Sequence, residues 1–146
     1  IRRTPSQLGV EARGSRLPVM AEEIARMGAF VWAPARARIP GTSLAGADLR
    51  EADLTDAVLG GVDLSGARLA GATLGDTRFT GCRMIGTVLR GLRGLSASFV
   101  LDDCSLQLAD LRDVAMRGLR IADCDLSEAD LTGADLAHAN LSGANL

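Results

Sequence analysis

The sequence predicts an all-β fold, a solenoid of four-sided coils, with a short helix before it. Three observations lead there. A large apolar residue recurs every fifth position over most of the chain. A small residue sits two positions before all of them but one, the exception being Leu119 before Ile121. Gly, Asp or Glu crowds the last position of the five, where a chain must turn.

The beat starts at Thr42: TSLAG, ADLRE, ADLTD, AVLGG, VDLSG and onward. The central position holds Leu44, Leu49, Leu54, Leu59, Leu64, Leu69, Leu74, Phe79, Met84 and Leu89. Phe99 keeps that phase. It then resumes at Leu106, Leu111, Met116, Ile121, Leu126, Leu131, Leu136, Leu141 and Leu146. Five suits neither regular element. On a helix, residues five apart drift by about 140° and leave any one face. On a strand, an odd period sends successive side chains to opposite sides. Every central residue points inward only if the backbone turns a corner each five residues. Four corners close a coil of about 20 residues, and coils stack about 4.8 Å apart, as strands do. Thr42 to Leu146 then makes about five coils.

These A-D/N-L-x-x units resemble the pentapeptide-repeat family, from Thr42 to Leu146. The resemblance implies a right-handed quadrilateral β-helix. The handedness comes from the family and not from the spacing.

The chemically tempting residues fall into this pattern. Cys82, Cys104 and Cys124 all occupy the small inward position, and they read as core filler. Three Cys without a C-x-x-C pair fit a reducing compartment and argue against a disulfide framework or a zinc site. His138, the single His, falls on an outward corner. Gly41-Thr42-Ser43-Leu44-Ala45 nearly reads G-x-S-x-G, but the final Gly is missing. Most Asp sit in the second position of a unit, as solvated groups or as acceptors in turns. No catalytic, cofactor-binding or metal-binding residue is expected. No run approaches the roughly 18 apolar residues of a transmembrane helix.

Before the coil, residues 1–41 read as tail, capping helix and linker. Pro18 to Met27 is the expected helix. Pro18 suits its first turn, and Glu22 and Glu23 its N-terminal half. Such a helix covers the open end that a solenoid otherwise exposes. Pro34 to Pro40 reads as extended linker. The chain begins at Ile1 without Met and ends mid-unit at Leu146. A larger chain, or end-to-end pairing with a second copy, is the expectation. All 16 basic residues are Arg, which suggests the codon usage of a GC-rich bacterial genome and a cytoplasmic protein.

Charge is uneven along the rod. Residues 42–63 hold one Arg and five acids, residues 64–120 eight Arg and five acids, and residues 121–146 five acids with no Arg. Stacking at n and n+20 predicts ion pairs Asp48–Arg68 and Asp63–Arg83, and an unfavourable stack of Asp110 on Asp130. From Leu89 to Leu106 the beat stumbles, with two residues inserted or a short loop leaving the coil over residues 90–103. Ile85, Val88, Leu92, Leu95, Val100 and Leu101 are expected in or near outward positions there. The candidate partner surface is therefore Asp110, Asp125, Asp130 and Asp135 at the acidic end, with Arg83, Arg90, Arg93, Leu92 and Leu95 around the stumble.

An enzyme is the weakest reading. The favoured one is a non-catalytic protein-binding or scaffold module. The alternative comes from the resemblance, whose best characterised branch binds DNA gyrase by mimicking duplex DNA and so inhibits it or protects it from quinolone-type poisons. The acidic ends suit that role and the Arg-rich middle does not. Direct nucleic-acid binding ranks below both, because no aromatics interleave the Arg and the rod is net acidic.

Overall fold

The computed structural model, which describes residues 38–40, 43–94 and 98–146, is a β-helix solenoid. Strands β1 (Arg38–Pro40), β2 (Val58–Gly60), β3 (Arg78–Thr80), β4 (Val100–Asp102) and β5 (Ile121–Ala122) form one parallel sheet in that order. Ile39 pairs with Leu59 and Leu59 with Phe79, one coil apart each time. Single-residue parallel bridges build the other three faces, as in Ser43 with Asp63, Asp48 with Arg68, and Asp53 with Thr73. The expected capping helix and tail lie outside the described residues. Arg38–Pro40, read from sequence as linker, is extended but already pairs with β2. Pro40 has no N–H to donate, which suits a strand with a neighbour on one side only among the described residues.

Most corners, though not those that follow β2 to β5, are tight turns with a physical requirement. The carbonyl of the central residue accepts the N–H three residues on, as from Ala47 to Leu44 at 3.0 Å. The residue before that donor takes a left-handed φ, +68° at Gly46 and +60° at Asp56, as a type II turn demands. Gly supplies that φ without strain, and Asp tolerates it better than most. Leu108 adopts it too, at +60°, without either advantage.

The interior is as narrow as the small-residue pattern implies. Leu44, Leu49, Leu54, Leu59, Leu64 and Leu69 are fully buried, and so are Ala47, Ala52 and Ala57 beside them. Thr77 and Thr87 take the small position as well. Their hydroxyls donate to the carbonyls of Leu54 and Leu64 at 2.7 Å, so neither hydroxyl is stranded. The three Cys are buried free thiols in that same column. Hydrogen bonding to Cys104, and then burial, keeps the Cys124 thiol protonated.

The stumble resolves as a two-residue insertion, with a correction to its phase. Arg78 pairs with Val100 and Phe79 with Leu101, whereas Leu101 and Ile121 return to the regular step. Leu101 is therefore the central residue and is wholly buried, not outward. Phe99 occupies the small position, aligned with Thr77 through the bond from Val100 N–H to the Thr77 carbonyl. It remains buried there, and its neighbour one coil on is Leu119, another large residue in a small position.

Candidate interaction surface

Outside the core, the second residue of each unit faces away and stacks in register. One ladder runs Asp48, Arg68, Val88, Asp110, Asp130. Another runs Ser43, Asp63, Arg83, Ser105, Asp125, Asn145. A third pairs Asp53 with Thr73, Thr73 with Arg93, and Ala115 with Asp135. Each of these ladders carries acids and an Arg, so none is a continuous column of carboxylates.

The Asp residues are built into the turns. Asp125, Asp130 and Asp135 each accept, at 3.0 Å, the backbone N–H two residues on. These bonds favour the charged carboxylate. The Ser127 hydroxyl and N–H hold Asp125 below the usual carboxylate range, and Thr132 does the same for Asp130. Asp135 is lowered by the Ala137 N–H and then by Arg117. All three are anions at neutral pH and hydrogen-bonded where they stand.

The predicted ion pairs divide. Asp48 lies 3.8 Å from Arg68 but is held more closely, at 2.6 Å, by Arg50 on its own coil. Asp63 and Arg83 are stacked in register yet form no ion pair. Asp63 is instead turned onto the N–H of Ser65 at 3.0 Å, which lowers its pKa. Asp110 and Asp130 stack as expected, but Arg112 bridges them at 2.8 and 3.7 Å and removes the expected repulsion.

The structure does not gather the sequence candidates on one face. Asp110 and Asp130 share a ladder, Asp125 shares one with Arg83, and Asp135 lies in line with Arg93. Leu92 takes the small position and packs on the core, because the insertion begins only after it. Leu95 lies outside the described residues. Arg90, Leu92 and Arg93 do come together, around a cleft of about 490 Å³ opened by the insertion. Its walls include Leu74, Phe99 and Val114, and Arg112 joins Arg90 and Arg93 at its edge. Arg112 was missed from sequence, although adding the two inserted residues to the 20-residue step places it beside Arg90.

Among the described residues no group of three or more His, Cys, Asp or Glu could hold a metal ion. No helix among them is long and apolar enough to cross a membrane.

Comparison with known proteins agrees with this geometry. The family model for pentapeptide repeats matches residues 35–69, 63–93 and 104–146, in 8 copies. Two trypsin-treated forms of QnrB1, a plasmid-mediated fluoroquinolone resistance protein, superpose with TM-scores of 0.60 and 0.63 at 21% and 18% identity. The matches cover 75% and 82% of this chain, and 62% and 66% of the QnrB1 chains. The chain thus spans less than two thirds of those neighbours, and identities this low show a shared fold alone. HetL, a pentapeptide-repeat protein involved in heterocyst differentiation regulation in the cyanobacterium Nostoc, aligns at 25% identity over 75% of this chain and 63% of its own. Its TM-score is 0.33, too low to bear on the fold. No curated protein matches the sequence.

Proposed function

Because the chain belongs to the pentapeptide-repeat family, we propose that it is a non-catalytic protein-interaction module, a rod whose outward ladders are read by a protein partner. The observation that carries this is the division of labour within the repeat. Apolar and small residues fill the interior, while charged residues of both signs stand outward in fixed register at the strand spacing. A surface of alternating charges at fixed spacing gives specificity more readily than raw affinity. The test is affinity capture with the purified chain and with a variant carrying Arg78→Glu and Arg83→Glu. A partner retained by the parent and lost from the variant supports the reading. A chemical turnover by the purified chain that needs no partner removes it.

A second reading, a DNA-mimicking gyrase binder, is favoured by one feature. Asp125, Asp130 and Asp135 stand on three faces of a segment with no Arg, residues 121–146, and all stay ionised. Against it, Arg68, Arg83 and Arg93 interrupt the outward ladders further up. A supercoiling assay with and without a fluoroquinolone decides. Inhibition or protection that disappears when Asp125, Asp130 and Asp135 become Asn supports mimicry, and no effect at tens of micromolar protein, roughly the range of weak encounters, removes it.

A further inference from the structure

The two-residue insertion does more than shift the phase. Leu89 N–H donates to the Asp110 carbonyl at 2.9 Å, and Leu101 N–H to the Arg120 carbonyl at 3.0 Å. Between those two rungs no backbone hydrogen bond joins the described residues of the two turns. From Arg68 on, with Ala115 and Arg120 the exceptions, the second residue of a unit donates back one coil, as Asp110 does to Thr87 at 2.9 Å and Asp135 to Val114 at 3.1 Å. By the same pattern Ala115 N–H belongs on the Leu92 carbonyl, and that bond is absent. One face of the rod thus carries a local gap with a backbone donor on one side and an acceptor on the other.

The gap is the cleft of about 490 Å³. Part of its wall is apolar: Leu74 and Val114 are each 4% exposed, whereas the Leu residues stacked in the earlier coils are sealed at 0%. Its rim carries three Arg, Arg90, Arg93 and Arg112, against one acid, Asp113. Arg112 is engaged by Asp110 and Asp130, and Arg93 reaches Glu51 at 3.4 Å, but Arg90 is exposed and in no ion pair among the described residues.

We propose that this cleft binds a short extended segment of a partner protein that has an apolar side chain flanked by carboxylates. The inference rests on the interaction-module reading and gives it a place and a chemistry. An extended segment lying along the gap meets a donor and an acceptor unused among the described residues, Ala115 N–H and the Leu92 carbonyl. A single apolar side chain covers Leu74, Phe99 and Val114. Carboxylates on either side of it meet Arg90 and Arg93, where guanidinium forks bind them in pairs. A simple anion satisfies only the last of these contacts.

The probe is the fluorescein-labelled peptide acetyl-Glu-Asp-Leu-Asp-Glu-amide, titrated with the purified chain and followed by anisotropy. Saturable binding is expected below about 1 mM, weakened about tenfold by Arg90→Glu and about tenfold by replacing the peptide's Leu with Ser. The Ser peptide leaves the protein untouched, so that arm holds even if a variant misfolds. No saturation by about 1 mM, equal binding of a Lys-Lys-Leu-Lys-Lys counterpart, or full displacement by about 20 mM phosphate at constant ionic strength each overturns the proposal. A natural partner captured equally well by the Arg90→Glu chain also overturns the cleft, while leaving the interaction-module reading in place.

Discussion

Arg112 grips Asp110 with two parallel bonds, Nε to Oδ1 at 2.9 Å and a terminal nitrogen to Oδ2 at 2.8 Å. The same guanidinium lies 3.7 Å from Asp130 on the next coil. Two carboxylates one strand spacing apart repel unless a cation stands between them. Arg112→Ala is therefore expected to lower the melting temperature by a few degrees at neutral pH. Asp130→Asn added to that variant restores most of the loss, because the remaining carboxylate no longer faces another. Thermal melts of the parent, single and double variants check it.

Leu108 is 58% exposed with a φ of +60°. Left-handed backbone costs an ordinary L-residue about 1–2 kcal/mol, and an outward Leu gains little burial in return. Leu108→Asn, which tolerates that region, should stabilise the fold by about 1 kcal/mol. Urea denaturation midpoints measure the gain, and an unchanged or lower midpoint contradicts it.

Phe99 fills a position that mostly holds Ala, Thr, Val or Cys, and it is only 2% exposed. Phe99→Ala removes most of that volume beside the existing cleft. A loss of about 3–5 kcal/mol is expected, read from denaturant unfolding. A loss under about 1 kcal/mol means that the coil closes over the gap.

Acid lability follows from the turns. Asp48 is lowered chiefly by Arg50, Asp63 by the Ser65 N–H and Asp110 by Arg112, each from an ordinary value of 3.8. A carboxyl that binds its proton more weakly when folded stabilises the fold above its unfolded pKa. That contribution disappears as pH falls through the folded one. Stability should hold from neutral pH to about 4 and fall below it. Melts from pH 7 to 2 show the limb, and Asp48→Asn makes it shallower because the Arg50 pair no longer titrates.

The regular part of this molecule was legible because one requirement repeats. Leu44, Leu49 and Leu54 must all face inward, and only a corner every five residues allows it. The Cys column and the turn role of the second-position Asp follow from the same phase. Legibility ended at the insertion. Phe99 keeps the old phase and is apolar, so sequence alone places it among the central residues; only strand pairing reveals that Leu101 takes that place. Arg112 was hidden for the same reason, since its neighbour Arg90 lies across the inserted residues. Asp63 and Arg83 show a different limit: register fixes which side chains are stacked, while a closer backbone donor decides where the carboxylate turns. The helix expected over Pro18 to Met27 lies outside the described residues.

The broken rungs between Leu89 and Leu101 also bear on how the rod comes apart. In a stack where each coil rests on its neighbours, the joint with the fewest hydrogen bonds is where cooperativity is weakest. The chain should then behave as two foldons meeting near residues 90–99, joined through the β3–β4 pairing and the intact ladders. Native-state hydrogen exchange would show two protection plateaus, one for each side of the joint, with the amides of Ala115 and its neighbours exchanging through the lowest-energy opening.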